Sequence, residues 1–289
     1  MRRLFPQPTP PEVAAPSVSP AGPGEGAAPS VRPGPSGPPW PLEELADAYA
    51  YPASAAPDAP GGPTPWLRGN MVSSLDGAAH HGGRSQPLSS DADMRVFGVL
   101  RALADAVVVG AETVRQEGYR PARARAAFAA RRRAAGQGPA PAIAVVSAGL
   151  DLDFSLPLFT EPLVPTLVLT GAAAPADRQA AARAAGAVVV HAGEGTGVDP
   201  ARVPGLLAEH GHTRLLTEGG PRLLGQFAAA GVLDELCLTL SPRITVGNAS
   251  RITDGPGLAA PAEYALVSLV EEDGFLFTRY RRAGAVPPG

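Results

Sequence analysis

Val107-Val108-Val109-Gly110-Ala111-Glu112-Thr113-Val114-Arg115-Gln116-Glu117-Gly118-Tyr119 decides how this chain is read. The valine run has the composition of a buried strand, and it ends in a glycine that leads straight into a short helix. The helix start offers backbone N–H groups and the Thr113 hydroxyl to a phosphate or an amide, although an ordinary capped helix reads the same way. Strand-then-helix recurs on both sides. Strands are expected at 67–73, 106–109, 142–147, 166–170, 187–191, 214–217 and 234–241, and helices at 90–104, 123–135, 176–185, 200–209 and 221–230. Such alternation predicts an α/β domain with a mostly parallel sheet flanked by helices. Two further strands, 264–271 and 274–281, meet at Glu272-Asp273-Gly274 and predict an antiparallel C-terminal hairpin, which makes the sheet mixed.

Two more strand ends carry glycines and small polar residues. Ser73-Ser74-Leu75-Asp76-Gly77 leads into His80-His81-Gly82-Gly83-Arg84-Ser85, and a plain Asp-Gly turn reads it equally well. Leu215-Leu216-Thr217-Glu218-Gly219-Gly220-Pro221-Arg222-Leu223 runs strand, glycines, helix. Paired glycines let a pyrophosphate approach the backbone, and Pro221 suits a first helical turn. The spacing is not the G-x-G-x-x-G of a Rossmann domain. Three such ends in one sheet point to a ligand cleft at the carboxyl ends of the strands.

Composition narrows the chemistry. With 289 residues, 45% of them hydrophobic, the chain can fill a sizeable core. A net charge of -3 and the absence of basic runs interleaved with aromatics give no reason to expect nucleic acid as a partner. Arg131-Arg132-Arg133 is expected to be a solvated helix face. All 24 cationic side chains are arginine, and the lack of lysine excludes P-loop and pyridoxal Schiff-base chemistry. Cys237 lies in an apolar run and is expected in the core. His80-His81 and His210-x-His212 lack a clear third ligand, so no metal is expected. No apolar stretch approaches the roughly 20 residues of a membrane span, and Met1-Arg2-Arg3 is followed by prolines, so a cytoplasmic protein without membrane contact is expected. Residues 1–39, rich in Pro, Gly and Ala, read as a disordered tail, 40–65 as a short helix and linker, 66–283 as the main domain, and 284–289 as a flexible tail.

Asn70-Met71-Val72-Ser73-Ser74-Leu75-Asp76-Gly77, then Leu88-Ser89-Ser90, the stretch from Leu100 to Tyr119, and Leu215 to Leu223 together resemble the reductase domain of the bifunctional riboflavin-biosynthesis deaminase/reductase family, in free-standing form. The resemblance runs from about residue 66 to 282. It implies a dihydrofolate-reductase-like fold, NADPH as hydride donor, and reduction of a ribosylamino-pyrimidinedione 5'-phosphate to its ribitylamino product. By position it implies that Ser73, Ser85, Thr113 and Glu117 lie along the cofactor, Ser147 near its adenosine end, and Gly219, Gly220, Pro221, Arg222 and Leu223 around its pyrophosphate. Arg101, Arg120, Asp76 and Glu218 would meet the substrate, Arg101 pairing with its phosphate, and either Glu218 or Glu117 would handle the proton. Many relatives carry a lysine where this chain has Asn70 or Ala78, and an arginine where it has Ala124. The same scaffold acting on a pterin or another specialised substrate, or as a catalytically silent nucleotide-binding regulator, are the alternatives. The family also implies a homodimer formed through sheet edges, with the terminal hairpin as the suitable edge. The first 65 residues have no His-x-Glu or Cys-x-x-Cys, so no zinc deaminase domain is expected there.

Overall fold

The protein is described by a computed structural model that covers residues 1–6, 39–59 and 62–284. Ten strands form one sheet among the described residues. In chain order they are β1 (Arg2–Phe5), β2 (Trp66–Ser73), β3 (Ala106–Gly110), β4 (Ala142–Val146), β5 (Leu167–Thr170), β6 (Val188–His191), β7 (Arg214–Thr217), β8 (Glu235–Leu240), β9 (Tyr264–Glu272) and β10 (Phe275–Arg282). Their spatial order is β1-β9-β10-β8-β2-β7-β3-β4-β5-β6. Pairings from β8 through β6 are parallel, and those of β1, β9 and β10 antiparallel. This is the mixed sheet with a terminal hairpin expected from the sequence.

The central strands are apolar on both faces because helices cover both. Val107 and Val109 of β3 point into one core, and Ala106 and Val108 into the other. The first core is roofed by α1 (Leu42–Ala48), α2 (Asp91–Leu103) and α6 (Ala176–Ala184), the second by α7 (Val203–Glu209) and α8 (Pro221–Ala229). Helix α2 starts where Ser90 caps it, its hydroxyl accepting from the Asp93 N–H at 3.1 Å. Two short helices, α4 (Ala129–Ala134) and α5 (Pro157–Thr160), complete the set, with α3 (Ala111–Glu117) at the cleft.

At the antiparallel end, Glu235 of β8 is fully buried between Arg68 of β2 and Arg279 of β10, at 2.5 and 2.8 Å. The two guanidiniums also donate to the carbonyls of Ala48, Tyr49 and Ala50, tying the end of α1 to the sheet. On the opposite face of β8, β10 and β9, Leu240, Leu276, Leu238 and Leu269 lie in cross-strand rows, half-exposed and outside both cores.

Several expectations change. Residues 2–5 of the supposed tail pair with β9 as an edge strand, so the hairpin is not the sheet's edge. Residues 7–38, the body of that tail, lie outside the described residues, as do 285–289 of the final one. The linker is packed: Ser54 and Ala55 are buried, and the Ala55 carbonyl accepts from the Thr213 hydroxyl at 2.7 Å. The helix expected over 123–135 begins only at Ala129 after a single 3-10 turn, because Arg125 is extended and Phe128 is fully buried. Arg132 is buried rather than solvated. It donates to Gly138, Ala102 and Ala104 at 2.7 to 2.9 Å and so satisfies carbonyls at the end of α2. Cys237 lies in the core as expected.

Candidate active site

The sheet order places β2, β7 and β3 side by side and parallel, so the three glycine-bearing strand ends open at one edge of the molecule. The turn after β7 is pinned to β3: the Glu218 N–H donates to Val108 at 3.3 Å, and the Gly110 N–H to the Gly219 carbonyl at 3.1 Å. Gly219 has φ +85°, a conformation that favours glycine, and its peptide to Gly220 is cis. A Cβ on Gly220 would fall 2.9 Å from Thr113 Oγ1, so only glycine lets α3 and the start of α8 approach so closely.

Two cavities meet at this turn. The larger, about 1070 Å³, is bounded by Gly110, Thr113, Ser147, Gly220, Pro221 and Arg222. The smaller, about 580 Å³, is bounded by Phe97, Arg101, Thr113, Glu117, Tyr119 and Glu218, among others. Thr113 belongs to both walls. The larger cavity has the start of α8 and backbone free of side chains at Gly110 and Gly220, which fits an extended phosphate-bearing cofactor.

Within the smaller cavity, Arg101 donates two parallel bonds to Glu218, Nε to Oε1 at 2.5 Å and Nη2 to Oε2 at 2.6 Å. The Tyr119 hydroxyl donates to the same Oε2 and accepts from Arg101 Nη2. Arg101 also lies over the Phe97 ring, 4.5 Å from its centroid. Burial by itself would lower the Arg101 pKa, but the Glu218 carboxylate more than reverses this and the net shift is upward. Burial, reinforced by the negative charge of Glu218, pushes the Tyr119 hydroxyl well above its usual pKa, so it stays protonated.

The predicted residues divide between these spaces. Thr113, Ser147, Gly220, Pro221, Arg222 and Leu223 line the larger cavity. Gly219 is buried at the turn behind it. Arg101, Arg120, Glu218, Ser85 and Glu117 line the smaller one, which separates Ser85 and Glu117 from the cofactor positions expected for them. Ser73 and Asp76 border neither cavity. The Ser73 hydroxyl is buried and donates to the Ser74 carbonyl at 2.9 Å. Asp76 binds the loop after β8, accepting from the Ser74 hydroxyl and from the Val246 N–H, the latter at 2.7 Å. These bonds, the Ser74 hydroxyl first, lower its pKa to about 2. The sequence reading missed Met94, Phe97 and Gly98, which line the smaller cavity with Arg101. Their spacing of three and four along α2 was the available signal. Arg123 and Arg125, which flank Ala124 where relatives carry an arginine, line it as well.

Residues 65–273 match the family model described as the RibD C-terminal domain. No curated protein matches the chain. Among solved structures, a pyrimidine reductase-like protein of Corynebacterium diphtheriae is 27% identical, with a TM-score of 0.67 over 75% of this chain and 92% of that one. RibD of Acinetobacter baumannii shares the fold at 17% identity and a TM-score of 0.60, over 76% of this chain and 58% of its own. A riboflavin biosynthesis reductase of Saccharomyces cerevisiae does so at 14% identity and a TM-score of 0.54, over 84% and 99%. The architecture is the mixed, mostly parallel sheet flanked by helices, with an antiparallel C-terminal hairpin, that was expected. With the three strand-end motifs gathered at one cleft and the family model spanning most of the domain, the chain belongs to the RibD C-terminal domain family.

Proposed function

We propose that the protein is an NADPH-dependent reductase that converts a ribosylamino-pyrimidinedione 5'-phosphate to its ribitylamino product. The observation that carries this reading is Thr113, whose side chain stands in the wall common to the two cavities. A hydride donor and its acceptor must lie in adjoining spaces with water excluded between them. The larger cavity suits the dinucleotide, held by Thr113, Ser147 and the Gly219 to Leu223 turn. Reduced nicotinamide, when bound, would supply a hydride to the sugar C1' of the substrate.

The remaining work falls to side chains of the smaller cavity. Glu218, fixed by Arg101 and Tyr119, is the acid best ordered to hold or move a proton at the sugar, whereas Glu117 is exposed at the rim. Family membership and the riboflavin-pathway names of the structural relatives support the substrate class. The described helices include none long and apolar enough to cross a membrane. A cytoplasmic homodimer, with residues 66–283 as the reductase unit, belongs to the same proposal, and the half-exposed leucines on β8, β10 and β9 support the dimer. Purified protein given the ribosylamino-pyrimidinedione phosphate and NADPH should oxidise the nicotinamide and yield a product two hydrogens heavier. Tight NADPH binding without turnover would overturn the substrate assignment.

A further inference from the structure

His80 stands in the wall of the larger cavity, on the loop between β2 and α2. Its imidazole is held from one side. Nε2 accepts from the Ser250 N–H at 3.4 Å, and next to it the Ala79 N–H donates to the Ser250 carbonyl at 2.8 Å. A ring nitrogen that accepts carries no proton, so in the neutral imidazole the proton is on Nδ1. Nδ1 is buried and has no hydrogen-bond partner among the described residues. A buried donor without an acceptor is costly, and this one stands at a cavity shaped for a ligand. The loop that carries it borders both spaces: His80 and Gly82 to Arg84 line the larger cavity, and Ser85 lines the smaller. At the other end of the larger cavity stand Ser147 to Gly149, after β4, and Gly197 and Val198, after β6, and none of these borders the smaller one. The start of α8, which follows β7, lies between the two ends because β7 stands between β2 and β4 in the sheet. A dinucleotide with its pyrophosphate at α8 therefore has its nicotinamide, which must adjoin the smaller cavity, on the His80 side and its adenosine on the Ser147 side.

Resting on the reading of the larger cavity as the cofactor site, we propose that His80 is a cofactor-binding residue whose Nδ1–H donates to the carboxamide oxygen of the nicotinamide. That oxygen is the strong acceptor on the ring. A hydrogen bond to it fixes the rotation of the ring about its ribose, and with it the face of C4 that looks towards Thr113 and the smaller cavity. Ser250 acts through His80: by donating to Nε2 it sets both the tautomer and the plane of the imidazole. Loop 241–263 thus has a part in placing the nicotinamide.

Titration calorimetry with NADPH and with 2'-phospho-ADP-ribose, the same nucleotide without its nicotinamide, tests this in two variants. The amide oxygen of a glutamine can stand where Nε2 does, and the amide nitrogen of an asparagine where Nδ1 does. His80→Gln keeps an acceptor for the Ser250 N–H and loses the donor. It should weaken NADPH about fivefold, as expected for one neutral hydrogen bond, and leave 2'-phospho-ADP-ribose unchanged. His80→Asn keeps the donor and should bind NADPH more tightly than His80→Gln does. Wild-type NADPH affinity in His80→Gln, or an equal loss of both nucleotides, overturns the proposal. So does a loss in His80→Asn with none in His80→Gln, which would show that the ring serves only to hold Ser250. A wild-type protein that binds neither nucleotide overturns the reading of the cavity itself, whereas failure of the His80 assignment alone leaves both nucleotides bound, so the two failures are distinct.

Discussion

Glu218 and Arg101 meet fork to fork, with 2.5 and 2.6 Å bonds, although one stands at the end of β7 and the other on α2. Glu218 is 7% exposed and Arg101 26%. Such a contact fixes both planes at once, so the Glu218 carboxylate has one orientation.

Removing the charge at Glu218 should therefore stop reduction without emptying the cofactor cleft. Glu218→Gln is expected to lower kcat about a hundredfold or more, the usual contribution of a positioned acid or base. NADPH affinity, followed by nicotinamide fluorescence, should stay near wild type. An unchanged kcat would show that the proton is handled elsewhere.

Gly220→Ala places a methyl group 2.9 Å from Thr113 Oγ1, between α3 and the start of α8. The expected result is weaker NADPH binding, by about tenfold, from a displacement that costs on the order of 1 kcal/mol. Circular dichroism should be unchanged, because the clash lies at the cleft mouth.

Glu235 gives a pH test. Its burial alone raises the pKa, but Arg68 and Arg279 outweigh that and hold it below the 4.5 of an ordinary glutamate. The folded value is thus lower than the unfolded one. Its contribution to stability is present above about pH 4.5 and is lost as pH falls through the depressed folded value. Glu235→Gln leaves two buried guanidiniums without a counter-charge and should cost about 3 kcal/mol at neutral pH. Urea midpoints measured from neutral to acidic pH should fall more steeply in the wild type than in the variant.

Leu276 tests the assembly. It is half-exposed beside Leu240 and outside both cores. Leu276→Arg should convert a dimer to a folded monomer in light scattering coupled to size exclusion. A monomeric wild type would end that reading.

The alternation of apolar runs with helical segments was enough to place the central strands, because β3, β4 and β5 are covered on both faces and their composition says so. Arg2 to Phe5 was not legible: a four-residue strand is too short for a pattern of its own and is defined only by its pairing with β9. The strand-end glycines were legible because backbone geometry demands them at Gly219 and Gly220. Asp76 misled for the converse reason, since an acid in a glycine-rich loop reads alike whether it meets a ligand or the Val246 N–H. The commitment of Arg101 to Glu218 was hidden by their separation of 117 positions along the chain. Nothing local in either segment announces the other.

Thr113 has a consequence for ligand design. Its side chain lines both spaces, so, on the proposed function, a single compound made of a nicotinamide-like fragment joined by a short tether to a sugar-phosphate fragment would occupy both. Each half would hold the other at millimolar effective concentration, and the tether would replace the hydride path with a covalent one.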